Sequence, residues 1–375
     1  MRHSEDEWDH TVRRQDNDPT RAQSRRRHCV CARDCLPMKP PDTFEFEVSI
    51  LVISFNTREL TRECLNSLLG ECAGLGARSE VLVVDNASVD GSAEMVEAEF
   101  TGREIPVRLI RSELNLGFAA ANNLAMEQAA GRYIVLLNSD AFFQAGALRR
   151  AIDHMDADAT VGIGGARLVS RDGAWQPSAR TFHSLWIDAI VLTGLASRFP
   201  RSRIFGAPDR TWADPEQAAS VDWVPGAFSI LRREALQKTG LFDPAFFLYY
   251  EEVDLCRRVK AAGYQVLYWP DVVVTHIGGE SGRQLRSLKF SKTGAQVVLW
   301  RMRATLLYYR KHHGWQAWLA KGLEESIYRL RWLRNRWSKS AVRRERADEA
   351  TLLLEMMRQA WNETNGGRIS PPRPW

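Results

Sequence analysis

Four apolar runs of strand length, each followed by an amphipathic helical segment, restrict this chain more than any other feature. They are "VSILVI" from position 48, "EVLVV" from 80, "VRLI" from 107 and "RYIVLL" from 132. After them come "RELTRECLNSLL", "GSAEMVEAEF", "FAAANNLAMEQAAG" and "GALRRAIDHM", whose apolar residues recur at helical spacing. Apolar strands alternating with helices imply an α/β fold with a parallel sheet covered on both faces. Beyond about 161 the pattern loosens. "GARLVSRDGAWQ" predicts a hairpin turning at Asp172–Gly173. "VDWVPGAFSILRREALQKTG" predicts a strand and a short helix, and "EEVDLCRRVKAAG" a helix stopped by Gly263. "YQVLYWP" and "VVVTH" read as two short strands on either side of Pro270.

The chain divides into three parts. Residues 1–43 are polar, of mixed charge and without apolar periodicity, so disorder is expected there. The run "HCVCARDC" holds His28, Cys29, Cys31 and Cys35, but its spacing matches no zinc pattern. Met38 is an alternative natural start. Residues 44–282 form the α/β domain, and 283–375 a basic helical region. The 375 residues are 45% apolar, ordinary for a globular core, and the net charge of +5 is mild. Cys64, Cys72 and Cys256 sit singly in helical segments and read as reduced core thiols, which fits a cytoplasmic chain. No apolar run is long enough to span a bilayer, and no signal peptide is evident.

In an open parallel sheet, ligands bind beyond the carboxyl ends of the strands. The first strand delivers Ser54 and Asn56 to that edge. The second delivers Asp85, Asn86 and Ser88; the third Asn115, Gly117, Asn122 and Asn123; the fourth Asn138 and Asp140. Singly, each of these is equally a turn or cap residue. Four sets in succession argue for a site. There is no P-loop and no dinucleotide glycine motif after the first strand, so a diphosphate here calls for a divalent cation instead. Asp140 suits Mg²⁺ or Mn²⁺, and His276 could complete the site.

"FFLYYEEVDLCRR" sets Glu251, Glu252 and Asp254 directly after aromatics. Carboxylates resist burial unless something pairs with them or uses them. Phe246, Phe247, Tyr249 and Tyr250 are expected to form an apolar wall that raises the carboxylate pKa. Trp223 and Gly226 are expected to line the cleft. Asp254 and Arg258 have the spacing of a surface ion pair, worth little. Near the C-terminus, Trp315, Leu319, Leu323, Ile327, Leu330, Leu333 and Trp337 make one apolar helical face flanked by arginines. That face suits an anionic membrane surface, or docking on its own domain or a second subunit. No nucleic-acid motif accompanies the arginines, so nucleic acid is not expected as a partner.

"VSILVISFNTRELTRECLNSL", "VLVVDNASVDGS", "NLGFAAANN", "LLNSD" and the stretch from "WVPGAFSIL" to "DVVVTH" together resemble the family 2 glycosyltransferases, over roughly 46–282. The subgroup resembled is the rhamnosyltransferase type of bacterial polysaccharide and cell-wall assembly. The resemblance implies a GT-A fold: a Rossmann-like nucleotide-binding half with a mixed sheet, joined to an acceptor half. It implies an inverting, cation-assisted transfer from a nucleotide-diphosphate sugar, dTDP- or UDP-linked, to a glycan or polyprenyl-linked acceptor at the inner membrane face. Galactofuranose transfer and a non-catalytic nucleotide-binding scaffold are the other readings. Carried over, Ser54, Asn56, Asp85, Asn86, Ser88, Asn115, Gly117, Asn122, Asn138 and Asp140 would bind donor. Among these, Asp85 would contact the base and Asp140 the metal with His276. Trp223, Gly226 and Tyr250 would face acceptor. Glu252, second of the Glu251–Glu252 pair, would be the catalytic base, with Glu251 and Asp254 as alternatives. Two positions depart from the family pattern: Asn138 replaces an Asp, and Glu252 replaces a shorter Asp.

Overall fold

The computed structural model describes residues 44–75, 78–278 and 292–371. The cysteine-rich run before 44 lies outside the described residues. The first half alternates as the sequence requires: β1 (Phe46–Ser54), α1 (Arg58–Ala73), β2 (Ser79–Asp85), α2 (Ser92–Phe100), β3 (Val107–Arg111), α3 (Gly117–Met126) and β4 (Gly131–Asn138). Then follow β5 (Ala141–Phe143), α4 (Ala147–Ala157), β6 (Val161–Val169), β7 (Trp175–Gln176), α5 (Leu185–Leu192), α6 (Leu195–Arg198) and β8 (Ala219–Ser220). The domain closes with β9 (Phe228–Arg232), α7 (Arg233–Thr239), α8 (Glu251–Ala261) and β10 (Gln265–His276). Three long helices come last: α9 (Lys292–His313), α10 (Gln316–Asn335) and α11 (Ala341–Glu363).

The strands form one sheet in the order β3-β2-β1-β4-β9-β6-β10-β5, with β7 on β6 and β8 on β10. β3, β2, β1 and β4 are mutually parallel. β9 enters antiparallel between β4 and β6, so the sheet is mixed beyond its first half. β2 is buried along its whole length, as a strand covered on both faces must be. The hairpin at Asp172–Gly173 forms as expected, with Gly173 at φ 81°.

One element differs from expectation. The segments around Pro270 form a single strand, β10, not two. Its register against β6 shifts between Trp269 and Val273. Proline has no N–H for the ladder, and a bulge is where a strand tolerates that.

The C-terminal helices are built into the domain. Leu307, Tyr308 and Tyr309 of α9 share one buried cluster with Phe246, Tyr250 and Val253. Asp254 fastens this junction and is fully buried. It accepts from Arg258 Nε at 2.8 Å, His312 Nε2 at 2.7 Å and Lys311 Nζ at 2.7 Å. The expectation of a surface Asp254–Arg258 pair is therefore corrected, and so is Asp254 as an alternative base. Burial alone would raise its pKa. The His312 hydrogen bond and the Arg258 and Lys311 charges outweigh burial and hold the carboxyl well below the usual range. Asp254→Asn leaves the Arg258 and Lys311 charges and the His312 ring facing a neutral amide, and a loss of about 3 kcal/mol in urea unfolding is expected. A group with a depressed folded pKa stabilises above its unfolded value. The wild-type advantage over D254N should therefore persist at neutral pH and shrink as pH falls below about 4.

α10 buries the face opposite to the apolar one read from sequence. Ala317, Ala320, Glu324, Glu325 and Tyr328 point inward. The buried acids are paired: Arg301 with Glu324 at 2.9 Å, and Lys321 with Glu325. Small alanines let the helices approach, and the ion pairs make the buried acids tolerable. The helix does dock on its own chain, as the alternative to a membrane surface expected, but through the face opposite the apolar stripe.

Candidate active site

The donor edge is built from the loops after β1, β2 and β3. Asn56, at φ 54°, ties two of them together. Its N–H donates to Ser88 Oγ at 3.0 Å, and its Oδ1 accepts from Val89 N at 2.8 Å. Asp85 accepts from Ser88 N through Oδ2 at 3.1 Å. Its other oxygen, Oδ1, is buried without a partner. A buried acceptor left open at the end of a parallel strand is a ligand contact in waiting.

Not every polar strand-end residue has such spare capacity. Ser54 is fully buried, its hydroxyl 2.9 Å from that of Thr61. Asn86 spends its amide on Asn115 Oδ1 at 3.0 Å and Gly117 O at 3.3 Å, and accepts from Leu116 N at 2.8 Å. Asn122 is buried and donates back to Phe118 O at 2.9 Å. Asn115 accepts from Gly117 N at 2.9 Å. The polar groups of these four hold the loops and helix α3 in place. Gly117, at φ +75°, could carry no Cβ, because one would lie 2.2 Å from Phe247 O. That close approach seats the start of α3 against the segment leading into α8.

The β4 end and the end of β10 bring Asp140 and His276 together, Oδ1 to Nε2 at 3.5 Å. β10 is paired with β5 so that His276 lies opposite Ala141. Gln176 of β7, which sequence reasoning missed, sets the histidine. Its Nε2 donates to His276 O at 2.9 Å, so its Oε1 must accept from His276 Nδ1 at 3.1 Å. Nδ1 then carries the proton, and Nε2 turns a lone pair toward the Asp140 carboxylate. Two acceptors facing each other need a cation or a proton between them. This donor set, one carboxylate and one imidazole fixed by a second-layer amide, fits Mn²⁺ or Mg²⁺. Among the described residues no cluster of three metal-ligating side chains exists. The rest of a coordination shell would come from donor oxygens and water. Asn138, the last residue of β4 and two positions before Asp140, has its N–H bonded to Ala227 O at 3.2 Å.

The second centre lies at the start of α8. Tyr249 and Tyr250 are consecutive left-handed residues, φ 72° and 69°. Each such position costs on the order of 1 kcal/mol or more and persists only where packing dictates it. Tyr250 is wedged between His183 and Tyr308, with ring centroids at 4.5 and 5.2 Å. Its hydroxyl lies 3.2 Å from His183 Nδ1. His183 is held by Asp188 at 2.7 Å, which also accepts from Tyr309 at 2.6 Å. Tyr250 is thus part of an internal network, which corrects its acceptor-binding expectation.

The strained turn presents Glu251 and Glu252 at the N-terminus of α8, where the helix dipole favours negative charge. Oε2 of each carboxyl is buried without a partner. Burial, then the neighbouring Glu252 charge, pushes Glu251 far above the ordinary glutamate value. Burial also raises Glu252, but hydrogen bonds from its own backbone, from Glu251 and from Gly226, together with the Arg180 charge, offset part of that rise. The pair titrates as a unit, with Glu251 pushed further toward the protonated form than Glu252.

Arg180 was not legible in the sequence. It lies in an irregular segment whose backbone pairs with Trp223, and its guanidinium stacks over the Trp223 ring at 5.0 Å. Trp223 donates Nε1–H to Thr181 O at 3.0 Å. Gly226 is buried, with Phe118 2.9 Å from where a Cβ would stand, so only glycine brings this backbone beside Glu252.

A wide mixed sheet with acids at its parallel strand ends and a carboxylate pair across the cleft is the GT-A class of nucleotide-sugar enzymes. A mannosyltransferase from Pyrobaculum calidifontis, solved with GDP-Man and Mn²⁺, shares this fold at a TM-score of 0.51 and 17% identity, over 87% of this chain and 90% of that one. Residues 49–240, about half of the chain, match the family described as glycosyl transferase family 2, and the chain belongs to that family. Two relatives come from Mycobacterium tuberculosis. An N-acetylglucosaminyl-diphospho-decaprenol L-rhamnosyltransferase is 29% identical over 52% of this chain and 66% of its own length. A pre-mycofactocin glycosyltransferase is 27% identical over 64% of this chain and 44% of its own length. The chain thus spans less than two thirds of either relative.

Proposed function

We propose that this chain is an inverting glycosyltransferase moving a hexose, L-rhamnose from dTDP-rhamnose, to a glycan or polyprenyl-linked acceptor in bacterial cell-surface polysaccharide assembly. The observation that carries the reading is Glu252: a buried carboxyl at the start of α8 with one unpartnered oxygen, set beside Glu251. Asp85 offers its free oxygen to the nucleotide base. Asp140 and His276 would hold a divalent cation, which would supply positive charge for the leaving diphosphate. Glu252 takes the proton from the acceptor hydroxyl as that oxygen attacks the anomeric carbon. Glu251, by keeping its own proton, spares the site a second buried negative charge. Arg180 and Trp223 shape the wall on the acceptor side. The rhamnosyltransferase relative supports the choice of sugar.

Calorimetry with dTDP, UDP and GDP, each with and without Mn²⁺ or Mg²⁺, tests this. Cation-dependent binding with dTDP preferred is the expected result. Preference for UDP or GDP would overturn the sugar and leave the transfer chemistry standing. Failure of folded protein to bind any of the three would favour a non-catalytic scaffold.

A further inference from the structure

The stripe that α10 turns away from its own domain is open to solvent. Trp337 is 77% exposed and Trp315 67%, with Trp318, Leu319, Leu330 and Leu333 also exposed. α5 packs against α10, and the segment from α5 past α6 is unusual in the same way. It exposes Trp186, Val191, Phe199 and Ile204. Isolated exposed apolar residues are ordinary, but two adjoining elements that each expose several large ones are not.

Charge indicates what covers them. In 184–208 the exposed charged residues are Arg198, Arg201 and Arg203, and in 314–344 they are Arg329, Arg334, Lys339, Arg343 and Arg344. All are basic. The acids of these segments are withdrawn: Glu324 and Glu325 are buried in ion pairs, and Asp188 is tied to His183 and Tyr309. Arg336 lies over the Trp337 ring at 3.6 Å, an arrangement suited to the headgroup level of a membrane. Arg201, Arg203 and Arg210, with Trp212 and one acid, Asp214, line an open cavity with a volume of about 430 Å³.

We infer that α5, α6 and α10 together form an interfacial surface that seats this chain on an anionic lipid bilayer. Trp, Leu, Phe and Ile enter the headgroup boundary, and the arginines meet lipid phosphates. Because α5 also carries Asp188, which holds His183 beside Tyr250, the membrane contact adjoins the turn that leads into Glu251 and Glu252. Among the described residues no helix is long and apolar enough to cross the bilayer, so the contact lies on the surface.

The test is co-sedimentation of the full chain with vesicles of phosphatidylcholine alone and with phosphatidylglycerol added. Binding only to the anionic vesicles, weakened by high salt, is expected. Trp318→Glu with Trp337→Glu, and separately Trp186→Glu with Ile204→Glu, should each lower partitioning about tenfold or more. Nucleotide binding by calorimetry should be unchanged in both, which also shows that they fold. Unaltered partitioning of the second pair would overturn the two-element surface. If wild type ignored vesicles and sedimented as a dimer that either pair dissolved, the face would be a contact between copies. Vesicle binding without nucleotide binding would keep this surface and remove the enzymatic reading instead.

Discussion

Glu252→Gln is expected to lower kcat by about 10²–10⁴-fold, the usual contribution of a positioned general base. Donor affinity should stay within about twofold, because Glu252 faces the acceptor hydroxyl and not the diphosphate. Glutamine keeps the shape and can still accept from Gly226, so folding is preserved. Glu251→Gln makes the comparison informative. An amide there still donates a hydrogen bond to Glu252, as the protonated acid does, so a much smaller loss is expected. Equal losses in both variants would mean that the assignment within the pair is wrong. In wild type, kcat/KM should fall as pH drops through an apparent pKa above the ordinary glutamate value of 4.5. The same shift has the opposite sign for stability. A buried carboxyl with a raised pKa stabilises the fold at low pH, and that contribution is lost as pH rises through the folded value. Activity and stability should therefore respond oppositely to pH in this window, and E251Q should flatten the stability arm.

Asp140→Asn is the second large effect. It removes the one carboxylate that faces the His276 lone pair, so binding of the preferred nucleoside diphosphate should lose its dependence on Mn²⁺ or Mg²⁺. Affinity measured in the presence of cation should drop by about tenfold or more, and kcat with it. His276→Ala should weaken cation dependence less, since imidazole contributes no charge. Gln176→Ala should fall between His276→Ala and wild type, because it frees the ring to rotate or change tautomer. Cation-enhanced binding that survives in D140N would place the ion elsewhere.

These residues show how far reading the chain alone can reach. The alternation from 48 to 155 is a local signal, since apolar spacing depends only on which faces are covered. The polar strand ends were visible too, but not their use. Asp85 leaves Oδ1 without a partner and the Asp140 carboxylate faces His276 at 3.5 Å, whereas Ser54, Asn86 and Asn122 spend their groups on neighbouring backbone and side chains. Spacing cannot separate these cases, because the deciding partner comes from another loop. Gln176 and Arg180 left no periodic signal: one ends the two-residue strand β7 and the other lies in irregular chain, and their roles exist only beside His276 and Glu252.

The acids at the start of α8 show the same limit. Glu252 and Asp254 are two positions apart on one helix, so they point to different faces. Asp254 meets Lys311 and His312 of α9, more than fifty residues away, and is neutralised there. Glu252 meets Gly226 and keeps an oxygen open. In α10 the sequence showed an apolar stripe and an arginine flank but not which side would be buried. Arg301 of α9 decided that by pairing with Glu324, while Lys321 covers Glu325 from the same helix, which let α10 bury its alanines and acids and turn its tryptophans outward. Periodicity along the chain determined the elements and their covered faces. Ion pairs and close approaches between distant segments decided which carboxylates were consumed and which stayed free to react, because desolvation is tolerated only where a partner arrives.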